Sequence, residues 1–255
     1  MSIYEDYARV YDPSGQFAFS LKTIPYLGRL IERHPVRGRV LLELACGTGT
    51  VALAQAEAGW RVYAVDGSAQ MLDQARQKAT DSGANVFWSQ QDMRHFVLPE
   101  RVHLATCLYD SLNYMLTSDD LLAVFRRVYA ALLPDGLFLF DMNTAWVMAT
   151  LWDDETYFSD DDNLTVILKS HYDSTRQRTA ITVTCFQREG ELYRKIVEHH
   201  TEQAYPPEQI ATLLTDAGFQ LEAQYDCFSF REPTSTSNRI MWVARRWDQA
   251  PENHG

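Results

Sequence analysis

From residue 36 onward, short continuous apolar runs alternate with longer segments whose apolar positions recur at helical spacing. Residues 39–44 (RVLLEL) form a run suited to a strand buried on both faces. It enters the turn Ala45-Cys46-Gly47-Thr48-Gly49, and a helix follows through Ala58, stopped by Gly59. Residues 61–65 read as a second strand ending at Asp66. Ser68 then caps a helix with Met71, Leu72, Ala75 and Ala79 on one face. Residues 85–88 and 102–108 are the third and fourth strands. Thr117 to Asp120 starts a helix carrying Leu121, Phe125, Val128 and Leu132, Pro134-Asp135-Gly136 is a turn, and residues 137–141 are the fifth strand. Strands alternating with helices predict a doubly wound α/β fold, its mostly parallel sheet covered on both faces.

The period changes between about 152 and 204. Residues 163–172, 179–188 and 191–203 carry β-branched and aromatic side chains without helical periodicity, with turns at 173–178 and 189–190, and read as an inserted antiparallel β meander. The α/β pattern returns with a helix at 206–217 and strands at 219–228 and 239–246, before a polar tail from Gln249. The first 35 residues, rich in Tyr, Phe and Leu, read as a helical or irregular cover. The expected organisation is therefore an N-terminal cover (1–35), an α/β core (36–150 with 205–247) and a β platform (151–204).

Composition narrows the partners. The formal charge over 255 residues is −11. That disfavours nucleic acid and anionic membranes, which need a basic face. The basic pairs Arg126-Arg127 and Arg245-Arg246 read as solvated faces. Cys46, Cys107, Cys185 and Cys227 lie far apart, without a C-x-x-C pair, as free thiols of a reducing compartment do. There is no signal-peptide pattern and no membrane-spanning run, so a cytoplasmic protein is expected.

The candidate chemistry centres on the glycine turn. Gly47 and Gly49 let a ligand approach the backbone, and the helix start behind them presents free amide donors. Gly47-x-Gly49-x-x-Ala52 with Asp66 also satisfies a dinucleotide-binding fingerprint, so the glycines alone leave NAD open. Three acids follow consecutive strands: Glu43, Asp66 and Asp92. Asp66 suits two ribose hydroxyls, and Asp92 with Met93 suits an adenine. Glu43 would repel a pyrophosphate but attract an ammonium and sulfonium.

These residues resemble class I S-adenosylmethionine-dependent methyltransferases. Glu43-x-x-Cys46-Gly47-Thr48-Gly49 is similar to the family's first motif, with Ala45 where many members have glycine. Val65-Asp66-Gly67-Ser68-x-x-Met71-Leu72 resembles the second, and Gln91-Asp92-Met93 the adenine-contacting motif. The resemblance implies a Rossmann-like seven-stranded sheet with its last strand antiparallel. It also implies a cofactor site of Glu43, Ala45, Cys46, Gly47, Gly49, Asp66, Gly67, Met71, Asp92, Met93, Leu108, Tyr109 and Tyr7. Tyr7-Ala8-x-x-Tyr11-Asp12, Cys107 to Tyr114 and Glu198-x-His200 resemble a small-molecule subgroup similar to N,N-dimethyltransferases of nucleotide-linked amino sugars. That subgroup places an antiparallel platform between the fifth strand and the last helix.

Methyl transfer needs an acceptor lone pair aligned with the methyl carbon, with water excluded. The segment 108–114 should flank the methyl group, with Asp110 and Asn113 as polar contacts. Tyr109 and Tyr114 offer aromatic walls, and Tyr7 and Tyr11 a closure. Glu198 and His200 share one face of a strand, so His200 is a candidate base, with Tyr11 and Asn113 beside it as catalytic candidates. The remaining histidines, His254 among them, read as structural or surface residues. No H-E-x-x-H helix or carboxylate–histidine cluster points to a metal. The expected partner is a small-molecule acceptor, for a monomer or homodimer. An NAD-dependent oxidoreductase and a non-catalytic S-adenosylmethionine-binding protein are the alternatives.

Overall fold

The structure, a computed structural model, describes residues 3–247; the tail from Gln249, His254 included, lies outside the described residues. Helices α1 (Ala8–Tyr11) and α2 (Phe17–Arg33) precede the alternating region. There follow β1 (Val40–Leu44), α3 (Thr50–Glu57), β2 (Arg61–Asp66), α4 (Ala69–Ser82), β3 (Val86–Gln90) and β4 (Val102–Cys107). A 3₁₀ turn (Ser111–Tyr114), α5 (Ser118–Ala131), β5 (Leu132–Asn143) and α6 (Ala145–Thr150) come next. Then come β6 (Thr156–Asp160), β7 (Leu164–Asp173), β8 (Arg178–Glu189), β9 (Leu192–Gln203), α7 (Pro207–Asp216), β10 (Phe219–Asp226) and β11 (Arg239–Arg246).

Seven strands form one sheet in the order β10-β11-β5-β4-β1-β2-β3. β11 runs antiparallel to both neighbours, because it returns directly from β10 without a crossover helix. Period-two alternation splits the core. Leu42 and Leu44 pack with Phe125 of α5 and Leu214 of α7, while Leu41 packs with Leu30 of α2 and Val51 of α3. The four other strands form the second sheet, antiparallel in the order β6-β7-β8-β9, so the inserted meander has four strands rather than three. β6 escapes the sequence pattern because four of its five residues are exposed and no burial alternation marks it.

Local expectations change in the fifth strand and at Arg245, and one short helix is added. The Pro134-Asp135-Gly136 turn lies inside β5 as a bulge, with Asp135 at φ 66°, and Leu132 opens that strand rather than closing a helix. The short helix α6 is set by Thr144, whose side chain accepts the Val147 amide. Arg245 is not a solvated face: it is buried, paired with Glu222 and bonded to the Asp135 carbonyl at 2.8 Å. Among the described residues no helix is long and apolar enough to cross a membrane.

Two tertiary devices position the site. At the end of β4, Tyr109 and Asp110 both adopt left-handed backbone, at φ 60° and 51°. Such conformations cost roughly 1–3 kcal/mol each outside glycine. Asp141 of β5 accepts both their amides, Tyr109 N at 2.8 Å and Asp110 N at 3.0 Å. Arg239 of β11 then pairs with Asp141 and, at 2.8 Å, with Asp110. The second device ties down the N-terminal segment. Glu198 of β9 accepts the amides of Tyr4 (2.7 Å) and Tyr7 (3.0 Å), while Ser68 donates to the Tyr4 carbonyl at 2.7 Å and Thr48 to Asp12 at 2.8 Å. The segment thereby bridges the second sheet and the turns that follow β1 and β2.

Two stability predictions follow from this geometry. Arg239→Met should lower unfolding stability in urea by about 3–5 kcal/mol, because two buried carboxylates lose their shared cation. Gly49→Ala should cost about 1–3 kcal/mol, read as a lowered melting temperature: Gly49 sits at φ 77°, and a Cβ there would stand 2.5 Å from the Trp88 ring.

Candidate active site

The turn after β1 is built from left-handed residues: Ala45 at φ 51°, Gly47 at 54° and Gly49 at 77°. The two glycines serve different ends. At Gly47 a Cβ would meet nothing within 4 Å, so the backbone faces open space. At Gly49 the space is taken by Trp88 and Ala75, and Gly49 is not among the residues bordering the cavity. The sequence expected both at the ligand; the structure gives Gly49 to helix packing. Ala45 carries the strain that a glycine would avoid.

Asp66 closes this turn. Its two carboxylate oxygens accept the amides of Gly47 and Ser68, each at 2.8 Å. A carboxylate offers about four lone-pair directions, so roughly two remain for hydroxyl donors. Burial raises its pKa while these amides pull it down. Glu43, beside it, is 4% exposed, and its Oε2 has no hydrogen-bond partner. Burial first, and then the charge of Asp66, push the Glu43 carboxyl up to about 8. Asp92 differs. It is half-exposed and gripped by Arg94, whose side chain lies 2.6 Å away and holds the Asp92 pKa below the usual carboxylate range.

All these groups except Gly49 border one cavity of 1310 Å³. Ala45, Cys46 and Gly67 line its turn side. Met71, Met93 and Leu108 supply apolar surface, and Tyr109 and Tyr7 close it from the 108–114 segment and the N-terminal segment. Tyr109 is wedged in place, stacked on Phe19 at 4.2 Å between ring centres.

The cavity continues beneath the second sheet. Tyr4, Tyr11, Tyr114 and His200 form an aromatic wall there, with Tyr4 Oη 2.8 Å from Tyr114 Oη and Tyr114 Oη 3.2 Å from His200 Nδ1. His200 is 4% exposed. Its Nε2 stands 3.5 Å from Glu198 Oε2, long for a hydrogen bond, and has no hydrogen-bond partner. Burial lowers the His200 pKa, which keeps the ring neutral. Tyr11 borders the cavity, as expected. Asn113 does not: it is fully buried, donates to the carbonyls of Asn143 and Gln203, and accepts the Asn143 amide, so its polar atoms brace β5 against β9.

Sequence reasoning passed over Glu202, Asp141 and Arg239. Glu202 continues the period-two face of Glu198 and His200, a legible signal. Arg239 pairs across about a hundred residues of sequence, which no local pattern announces. Asp153, Asp154 and His171 also gather at the surface, with ligand-type atoms within 4.8 Å, but all three are exposed and stand outside the cavity.

The residues fit a nucleoside bearing positive charge. An orphaned buried carboxyl lies at Glu43, open space faces the Gly47 backbone, and spare acceptor sites remain on Asp66. A pyrophosphate would meet Glu43 and Asp66 without a neighbouring free cation among the described residues. Residues 41–136 match a family model described as a methyltransferase domain. YqeM of Bacillus subtilis (strain 168), whose name places it among the methyltransferases, is 32% identical over 248 residues, 96% of this chain and 97% of its own. A crystal structure of an S-adenosylmethionine-dependent methyltransferase from Clostridium acetobutylicum superposes with a TM-score of 0.86 at 25% identity, covering 97% of this chain and 100% of the other. The dTDP-3-amino-3,6-dideoxy-alpha-D-glucopyranose N,N-dimethyltransferase of Streptomyces fradiae is 33% identical over 111 residues, 44% of this chain and 42% of its own. With its glycine turn, its acids at consecutive strand ends and these relatives, the chain belongs to the S-adenosylmethionine-dependent methyltransferases.

Proposed function

We propose that the protein methylates a nitrogen or oxygen atom of a small molecule, held between the α/β core (36–150 with 205–247) and the β platform (151–204). One observation carries the reading: a single cavity runs from the Gly47 turn to the buried His200 face of β9. Cofactor and acceptor sides therefore share one space. The partly matching Streptomyces fradiae relative, named for an amino-sugar acceptor, agrees with a small-molecule substrate. Four unpaired cysteines agree with a reducing, cytoplasmic setting.

Bound S-adenosylmethionine supplies a methyl group on positively charged sulfur, which an acceptor lone pair takes by in-line displacement. The chain's residues divide the remaining work. Glu43 draws in positive charge, Asp66 takes ribose hydroxyls, and Asp92 with Met93 lies against the adenine. Tyr7 and Tyr11 cover the reacting centre, and electron-rich rings there favour a neighbouring cation. His200, neutral and oriented through Nδ1 by Tyr114, receives or steers the acceptor's proton.

Three measurements test this reading. Incubation with S-adenosylmethionine and mixed small amines, amino sugars and phenols should yield S-adenosylhomocysteine. Binding of the cofactor with no turnover across all three classes would overturn it. Asp66→Ala should weaken S-adenosylhomocysteine binding at least about tenfold by calorimetry, since a hydrogen bond to a charged group contributes about 1.5–3 kcal/mol. The third concerns pH. A cationic ligand favours ionised Glu43, whose free carboxyl holds its proton up to about pH 8. Below that pH, binding must expel the proton, so affinity should fall with decreasing pH, by up to about tenfold per unit. Calorimetry at pH 7 in buffers of different ionisation enthalpy should show proton release, and Glu43→Gln should abolish it.

A further inference from the structure

The acceptor side of the cavity has a charge pattern that narrows the substrate beyond methyl transfer to a nitrogen or oxygen. Among the described residues bordering the cavity there are six carboxylic acids but only two arginines and no lysine. Neither arginine is available to a ligand anion. Arg94 is held by Asp92 and Asp120, and Arg239 by Asp110 and Asp141. A phosphate or diphosphate entering this space would meet uncompensated negative charge and no free cationic donor.

Glu202 stands at the opposite extreme. It is 2% exposed and faces the cavity from the same side of β9 as His200. One amide group bridges it to Asp110: Asn143 Nδ2 donates to Glu202 Oε2 at 3.2 Å and to Asp110 Oδ2 at 3.0 Å. Among the described residues Glu202 has no salt-bridge partner, since Arg239 is committed to Asp110 and Asp141. Burial and the neighbouring Asp110 charge hold its carboxyl well above the ordinary range. Beside it, the buried His200 Nε2 lacks a hydrogen-bond partner. A buried carboxyl with no cation in salt-bridge contact and a ring nitrogen without a hydrogen-bond partner together describe a place for a group that donates protons and carries positive charge. The adjoining wall, Leu168, Ile181 and Val183, is apolar.

We infer that the acceptor is a phosphate-free amine, its nitrogen held at the Glu202 carboxyl beside His200 and its apolar body against β7 and β8. The inference rests on the methyl-transfer reading and names its substrate class. It separates this chain from an enzyme of nucleotide-linked amino sugars, whose acceptor carries a diphosphate.

The test uses full-length protein saturated with S-adenosylhomocysteine, whose binding is measured first. Matched sets of small amines, the corresponding alcohols, and phosphate esters of the corresponding amino alcohols are then titrated by ligand-observed NMR. The amines should bind at least about tenfold tighter than the alcohols, as a charged hydrogen bond supports, and the phosphate esters most weakly. Glu202→Gln should erase the amine preference while S-adenosylhomocysteine affinity stays unchanged. If that variant no longer binds S-adenosylhomocysteine, Glu202→Asp decides: weakened amine binding supports the inference and unaltered binding overturns it. Equal binding of amines and alcohols, no amine binding, tightest binding by phosphate esters, or an amine preference surviving Glu202→Gln would each overturn it. Wild-type protein that fails to bind S-adenosylhomocysteine would instead defeat the methyl-transfer reading itself.

Discussion

The site depends on one buried guanidinium. Arg239 reaches from the antiparallel strand β11 to Asp141 at the end of β5 and Asp110 beyond the end of β4. Without it, two carboxylates would face each other in the core, an arrangement that interior dielectrics penalise by several kcal/mol. With it, Asp141 is free to accept two backbone amides and hold Tyr109 and Asp110 in left-handed conformation. That bend turns the chain after β4 under the cavity, and it places the Tyr109 ring and the Asp110 carboxylate on its wall. The antiparallel strand thus does more than complete the sheet: it delivers the cation that makes the floor of the site possible.

A second constraint acts from above. Glu198 grips the backbone of the N-terminal segment, while Ser68 and Thr48, both adjoining the glycine turn, hold the same segment from the other side. The aromatic residues Tyr4, Tyr7 and Tyr11 are therefore suspended between the glycine turn and the second sheet. Cavity closure and the anchoring of the N-terminal segment are one set of bonds. Burial and a neighbouring carboxylate raise the carboxyls of Glu43 and Glu202.

The sequence was legible where a local rule operated. The Ser68 cap and the helix start at Thr117 appear as read, and each side chain accepts an amide of its own helix. Glu43, Asp66 and Asp92 do converge, because parallel strands bring their carboxyl ends to one edge. Reading failed where the answer lay in distant neighbours. Gly49 looks like Gly47 in sequence, yet Trp88 occupies the space beside it. Asn113 lies in a segment that flanks the cavity, but the carbonyls of Asn143 and Gln203 claim its side chain. Arg245 resembles a surface charge until Glu222 and the bulge at Asp135 enclose it.

By itself, then, the sequence determined the doubly wound sheet, the position of the glycine turn, the inserted antiparallel strands and the acids at the strand ends. Each of these is written in periodicity or in residues adjacent along the chain. Only the tertiary structure decided which glycine faces the ligand space, which buried charges are paired and which remain open. Those outcomes depend on contacts between residues far apart in sequence, such as Arg239 with Asp110 and Glu198 with Tyr4. Whether a buried polar group is satisfied is a property of its surroundings, and no local pattern carries it.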